Sequence, residues 1–270
     1  MFDISNLNLL ILILFVALIV LFLCFCKSET MKNNNNNNKI YNLYTNVDHY
    51  RIGDLLKGYG NSPMIGNDKT LSLRNGILKK HRNTLAYEFI IQSNNNNNNQ
   101  EENYKLLNKI INEKIKNEKI KNNFSDVCVV HLRVGDILDD PHYNNSKEKL
   151  MNKFNNNIPN DNEGYSPSLV PNWYIRSKEY YLKEIDELKK KNIKNVIIIA
   201  GSHINIGNYK MSSYYINLIK NLFEKNGFNV KLKLASHPDD DIILVSKCKY
   251  FISAQGSYSQ LLSEIWKMNN

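Results

Sequence analysis

The chain has 270 residues, 42% of them hydrophobic, which is enough to bury the core of one ordinary domain or two small ones. Its formal charge of +9 comes from lysines scattered among asparagines, as at 114–121, and not from a basic stripe interleaved with aromatics, so a membrane-tethered nucleic-acid binder rests on the charge alone and no nucleic-acid partner is expected. Four cysteines, with no Cys-x-x-Cys or His-x-x-x-His spacing, exclude a disulfide framework and a zinc site.

Residues 7–26 are apolar apart from Asn8. At 1.5 Å rise per residue such a helix reaches about 30 Å, so a single membrane-spanning anchor is expected. A cleaved signal peptide is the competing reading, opposed by the length of the run and the absence of a basic residue in 1–6. Lys27, Lys32 and Lys39 follow the run and Asp3 precedes it, which places the later chain on the cytosolic side. Sequons at Asn123 and Asn144 are compatible with a lumenal location instead, and orientation stays open.

Two runs of six asparagines, at 33–38 and 94–99, cannot repay the entropy of ordering and read as linker and loop. They divide the chain into an anchor and linker at 1–39, a small region at 40–123 and a larger one at 124–270. The segment Tyr50-Arg51-Ile52-Gly53-Asp54-Leu55-Leu56 is placed near a turn, with no chemistry attached.

Apolar residues three and four apart predict a helix over 102–122, and the β-branched run Val127-Cys128-Val129-Val130 predicts a buried strand over 125–132. The Asn-rich stretch 141–171 reads as a long loop. Regular alternation follows: helix 178–191, strand 195–200, helix 212–225 closed by Gly227, strand 229–234, a helix opened by Pro238, strand 250–253 and a helix from Tyr258 onward. That order predicts an α/β fold with a doubly wound parallel sheet, in which ligands sit at the carboxyl ends of the strands.

The chemistry-bearing residues fall at those ends. Period-two alternation puts His131 and Arg133 on one face as the first strand ends in His131-Leu132-Arg133-Val134-Gly135-Asp136. A guanidinium there suits a diphosphate, and the alternative is an Arg133 to Asp136 ion pair closing a turn. The last strand ends in Ala254-Gln255-Gly256-Ser257-Tyr258-Ser259, whose small residues let backbone N–H groups approach an anion. His203, after the second strand, is either a ligand contact or a solvated loop residue. Asp239, Asp240 and Asp241 contain an Asp-x-Asp spacing, but acids opening a helix favour the dipole and argue against a metal site.

The sequence resembles the fucosyltransferase superfamily that includes α1,2-, α1,6- and protein O-fucosyltransferases. The resemblance rests on residues 131–136 against His-x-Arg-x-Gly-Asp, residues 241–248 against Asp-x-x-Leu-Met-Ser-x-Cys, and residues 254–259 against Ala-Asn-Ser-Ser-Phe-Ser. It implies the Rossmann-like donor half of a GT-B enzyme with a reduced acceptor region, and metal-free inverting transfer from GDP-fucose to a glycan or protein. It also implies a lumenal, Golgi-type location. By the same resemblance Arg133 neutralises the leaving phosphate, His131 and Asp241 lie near guanine or ribose, and Ser257 and Ser259 lie against the phosphates. Asp54, Glu88 and Asp136 are the candidate bases. The short first half motivates an alternative, a catalytically inactive sugar- or nucleotide-binding membrane protein.

Overall fold

The computed structural model describes residues 39–47, 51–58, 67–93, 99–117, 124–143, 146–156 and 174–270. The predicted anchor at 7–26, the asparagine runs at 33–38 and 94–98, and the sequon residues Asn123 and Asn144 lie outside the described residues. Among the described residues no helix is long and apolar enough to cross a membrane.

Among the described residues four helices precede the sheet: α1 (Ile52–Gly58), α2 (Asn67–Lys80), α3 (Leu85–Gln92) and α4 (Gln100–Asn117). The strands β1 (Val127–Arg133), β2 (Asn195–Gly201), β3 (Asn229–Leu234) and β4 (Tyr250–Ile252) form an all-parallel sheet in the order β3-β2-β1-β4. Between β1 and β2 lie α5 (Asp136–Asp139), α6 (Lys147–Asn156) and α7 (Lys178–Lys190). Then α8 (Lys210–Lys225), α9 (Pro238–Lys247) and α10 (Ser257–Asn269) follow β2, β3 and β4 in turn. The fold is therefore α/β with an all-parallel sheet and flanking helices, as the alternating pattern implies.

Side chains alternate across β1, so its two faces build two cores. Val127 and Val129 join Leu55, Phe89 and Ile111 of the early helices and Ile242 and Leu262 of α9 and α10. Cys128, Val130 and Leu132 join Tyr181 and Ile185 of α7 and Ile216 and Phe223 of α8. Full burial of Leu55, Phe89 or Phe223 contributes roughly 1.5–3 kcal/mol each. A sheet covered on both faces explains why β1 and β2 read as nearly continuous apolar runs, whereas edge strand β3 alternates lysines with Val230, Leu232 and Leu234.

The helices of the first half thus share a core with the last two. Asp239, in the first turn of α9, accepts from the Leu85 N–H at 2.9 Å and caps α3 from across the chain. Residues Tyr41–Asn270 form one compact unit.

One expected loop contains a helix. Within 141–171, α6 forms because Leu150 and Phe154, one turn apart, both bury in the second core. Residues 157–173 lie outside the described residues.

Candidate functional site

Chain order runs β1 to β2 to β3 on one side of β1 and returns to β4 on its other side. Connections leaving β1 and β4 diverge at this reversal and open a crevice at the strands' carboxyl ends. A cavity of about 180 Å³ is lined by residues from those ends and from the first half of the chain.

The end of β1 supplies His131 and Arg133, both on the cavity wall as the alternation requires. The His131 ring is 7% exposed, meets the Tyr258 ring edge-on with centroids 5.5 Å apart, and carries an Nδ1 without a hydrogen-bond partner. Burial, and then the Arg133 charge, push its pKa down to about 3, so the ring is neutral. Arg133 donates through one terminal nitrogen to the Val134 carbonyl at 2.7 Å and through the other to Asp136 Oδ2 at 2.8 Å. Its guanidinium lies 5.7 Å from the Tyr174 ring centroid, and Tyr174 also lines the cavity. The ion pair therefore exists together with the cavity position, and Asp136 stands behind Arg133 instead of on the wall.

This turn depends on Gly135. Its φ is 79°, and an added Cβ would fall 2.5 Å from Ser202 Cβ and Oγ, so no other residue fits without displacement. The Gly135 N–H donates to Ser212 Oγ at 2.9 Å. The Asp139 carboxylate accepts from Ser212 Oγ and from the N–H groups of Met211 and Ser212 at 2.7 and 3.0 Å. The start of α8 and the Arg133 turn are thereby fastened together. Burial raises the Asp139 pKa, and those hydrogen bonds pull it back.

Beyond β4, Gly256, Ser257 and Tyr258 form the facing wall, and the Tyr258 hydroxyl donates to the Pro238 carbonyl at 2.9 Å. Ser259 does not join them. Two positions further along a helix a side chain is turned by roughly 200°, so Ser257 and Ser259 cannot face one cavity. Ser259 is 1% exposed, has an Oγ without a partner and lines a separate polar groove with Gln255, Gln260 and Glu264.

Asp241 reaches the cavity with its carboxylate committed, Oδ1 accepting from Lys233 Nζ and from Ser236 Oγ at 2.6 Å each. Burial raises its pKa, and Lys233 acts in the opposite direction. Both ends of the Asp-x-Asp spacing are thus held by protein partners. Among the described residues no group of three or more His, Cys, Asp or Glu could hold a metal ion.

His203 also lines the cavity, with its pKa lowered first by burial and then by Arg133; Arg51 lowers it further, while Asp136 and Asp54 act the other way. Of the nine residues the sequence singled out, the cavity gathers His131, Arg133, His203, Asp241, Gly256, Ser257 and Tyr258, leaving Asp136 and Ser259 off its wall. Among the candidate bases, Asp54 lines the cavity and Glu88 of α3 does not.

Arg51 and Gly53 are wall residues to which sequence reasoning attached no chemistry. Arg51 and Asp54 are ion-paired three residues apart. An added Cβ on Gly53 would fall 2.8 Å from the Ser257 carbonyl carbon and the Tyr258 nitrogen, so α1 lies directly on the Ser257 turn. A sequence signal exists: His49-Tyr50-Arg51-Ile52-Gly53-Asp54 repeats the His, Arg, Gly and Asp of residues 131–136. Comparison with known proteins finds no matching family model, curated protein or solved structure.

Proposed function

We propose that this chain is a glycosyltransferase of the fucosyltransferase type, using a nucleotide-sugar donor, GDP-fucose on the motif resemblance, in the manner of a GT-B donor half. Membrane attachment through 7–26 and a glycan or protein acceptor belong to the same proposal. The observation that carries it is the shared cavity of Arg133, at the end of β1, and the Ser257 turn, at the end of β4, across the reversal of the sheet.

The geometry supports metal-independent inversion. Asp136 and the Val134 carbonyl fix the guanidinium in advance, and its remaining N–H donors serve a leaving diphosphate without reorganisation. Neutral His131 and His203 offer hydrogen bonds without adding charge. Asp54 is the carboxylate on the wall contributed by the first half of the chain. As the acceptor oxygen bonds to the anomeric carbon, its proton passes to Asp54 and the electron pair of the breaking C–O bond leaves with the diphosphate.

One observation favours a second reading, the inactive binding protein. Among the described residues both carboxylates on the cavity wall, Asp54 and Asp241, are already ion-paired, with Arg51 and Lys233. Donor turnover by the full chain, measured by GDP release from GDP-fucose, separates the two. Arg133→Ala is expected to lower turnover at least about 100-fold with a near-native unfolding midpoint. Full turnover in that variant defeats the proposal, and GDP binding without transfer to a broad acceptor panel favours the inactive reading.

A further inference from the structure

The repeated Arg-x-Gly-Asp turns meet in one cavity. Each holds an arginine and an aspartate three residues apart in an ion pair, and each places its aspartate in the first turn of a helix. Arg51 comes from the first half of the chain and Arg133 from the sheet, and both line the same wall space. They are the permanently charged cations among the described lining residues.

Gly53 sets where Arg51 stands. Because no Cβ intervenes, the α1 backbone approaches the Ser257 carbonyl and Tyr258 nitrogen, which places Arg51 beside the turn that faces Arg133. His203 lies within the field of both arginines and both aspartates, and its lowered pKa keeps the ring uncharged between them. Positive charge at this end of the cavity therefore resides on two forks, each oriented by its own carboxylate. A guanidinium fork matches one phosphoryl group, and two of them match two.

We propose that Arg51 is the second half of a two-arginine site for a diphosphate, one guanidinium to each phosphate, and that this pairing selects diphosphates over monophosphates. The inference deepens the nucleotide-sugar reading above and rests on it for the nucleoside attached. It is tested by calorimetric titration of the full chain with GDP and GMP at one ionic strength. The wild-type protein is expected to bind GDP more tightly than GMP. Arg51→Ala lowers GDP affinity about 10- to 100-fold and GMP affinity less than about threefold, so selectivity collapses. Arg51→Lys, which keeps the charge and a partner for Asp54 but loses the fork, gives an intermediate GDP affinity and guards against loss of folding in the alanine variant.

Unchanged selectivity in both variants overturns the two-arginine site, as does a wild-type chain that binds neither GDP nor pyrophosphate. Arg51-dependent GDP selectivity in a chain that turns over no nucleotide sugar upholds the site and defeats the transferase reading. Sugar transfer with GDP affinity indifferent to Arg51 does the reverse.

Discussion

Replacing Gly53 with alanine sets two effects of opposite sign against each other. In an ordinary helix the change adds about 0.5–1 kcal/mol of stability, because glycine loses more backbone freedom on folding. Here the new Cβ would lie 2.8 Å from Ser257 C and Tyr258 N and 2.9 Å from Ser257 O, all backbone atoms that cannot swing aside. Carbon contacts relax at about 3.5–4.0 Å, so α1 and the Ser257 turn must separate by roughly 0.7 Å or more. Overpacking of this kind costs about 1–3 kcal/mol, which exceeds the helix gain. We expect Gly53→Ala to unfold in urea with about 1–2 kcal/mol less stability and an unchanged denaturant slope. Because the turn is a cavity wall, GDP affinity should fall about tenfold in parallel. A variant more stable than wild type, with unaltered GDP binding, would show that propensity governs the position and that the close approach of α1 is not real.

Gly135→Ala must adopt a φ of 79° and displace Ser202, so it should lose about 2 kcal/mol or more in urea unfolding and weaken GDP binding through Arg133. His131 titrates near 3 in the fold against about 6.5 when unfolded, so the unfolded chain binds the extra proton between those values. Its contribution is complete above about pH 6.5 and declines by about 1.4 kcal/mol per unit as pH falls toward 3. His131→Gln should remove that slope, and equal slopes in the two proteins between pH 7 and 4 would refute it. The raised pKa values of Asp139 and Asp241 act with opposite sign but are common to both proteins and cancel. Burial pushes the Cys248 thiol up to about 12 and also raises the Cys128 thiol well above its ordinary value, so mass mapping should find both unalkylated by iodoacetamide at pH 8 until urea unfolds the chain.

Legibility in the sequence followed the range of the interactions. Strands such as 195–201 and 229–234, and the helix at 178–190, were readable to within a residue or two because their apolar spacing is local. The segment at 147–156 hid its helix because Leu150, Met151 and Phe154 are its only apolar residues in an Asn- and Lys-rich stretch whose burial depends on α7 and α8. Strand-end logic found His131, Arg133 and the Ser257 turn. Ser259 was set beside Ser257 by the resemblance alone, and the roughly 200° turn between the two positions in α10 leaves it off the cavity wall. Arg51 stayed hidden, and Asp54 was a candidate base without a place in the site, because only tertiary packing brings residue 53 onto residue 257, although the repeated tetrad was in plain text.

The pairing of β1 with β4 has a consequence for how cells make this chain. Cys128 to Val130 sit beside Tyr250 to Ile252, residues that leave the ribosome on the order of ten seconds later at about 5–20 residues per second. Until then one edge of a buried strand offers open backbone donors and acceptors, and the early helices have no α9 or α10 to cover their apolar faces. Nascent chains of this protein should therefore depend on chaperone shielding late into synthesis. A truncation ending before Tyr250 would yield a proteolysis substrate and not a smaller working fold.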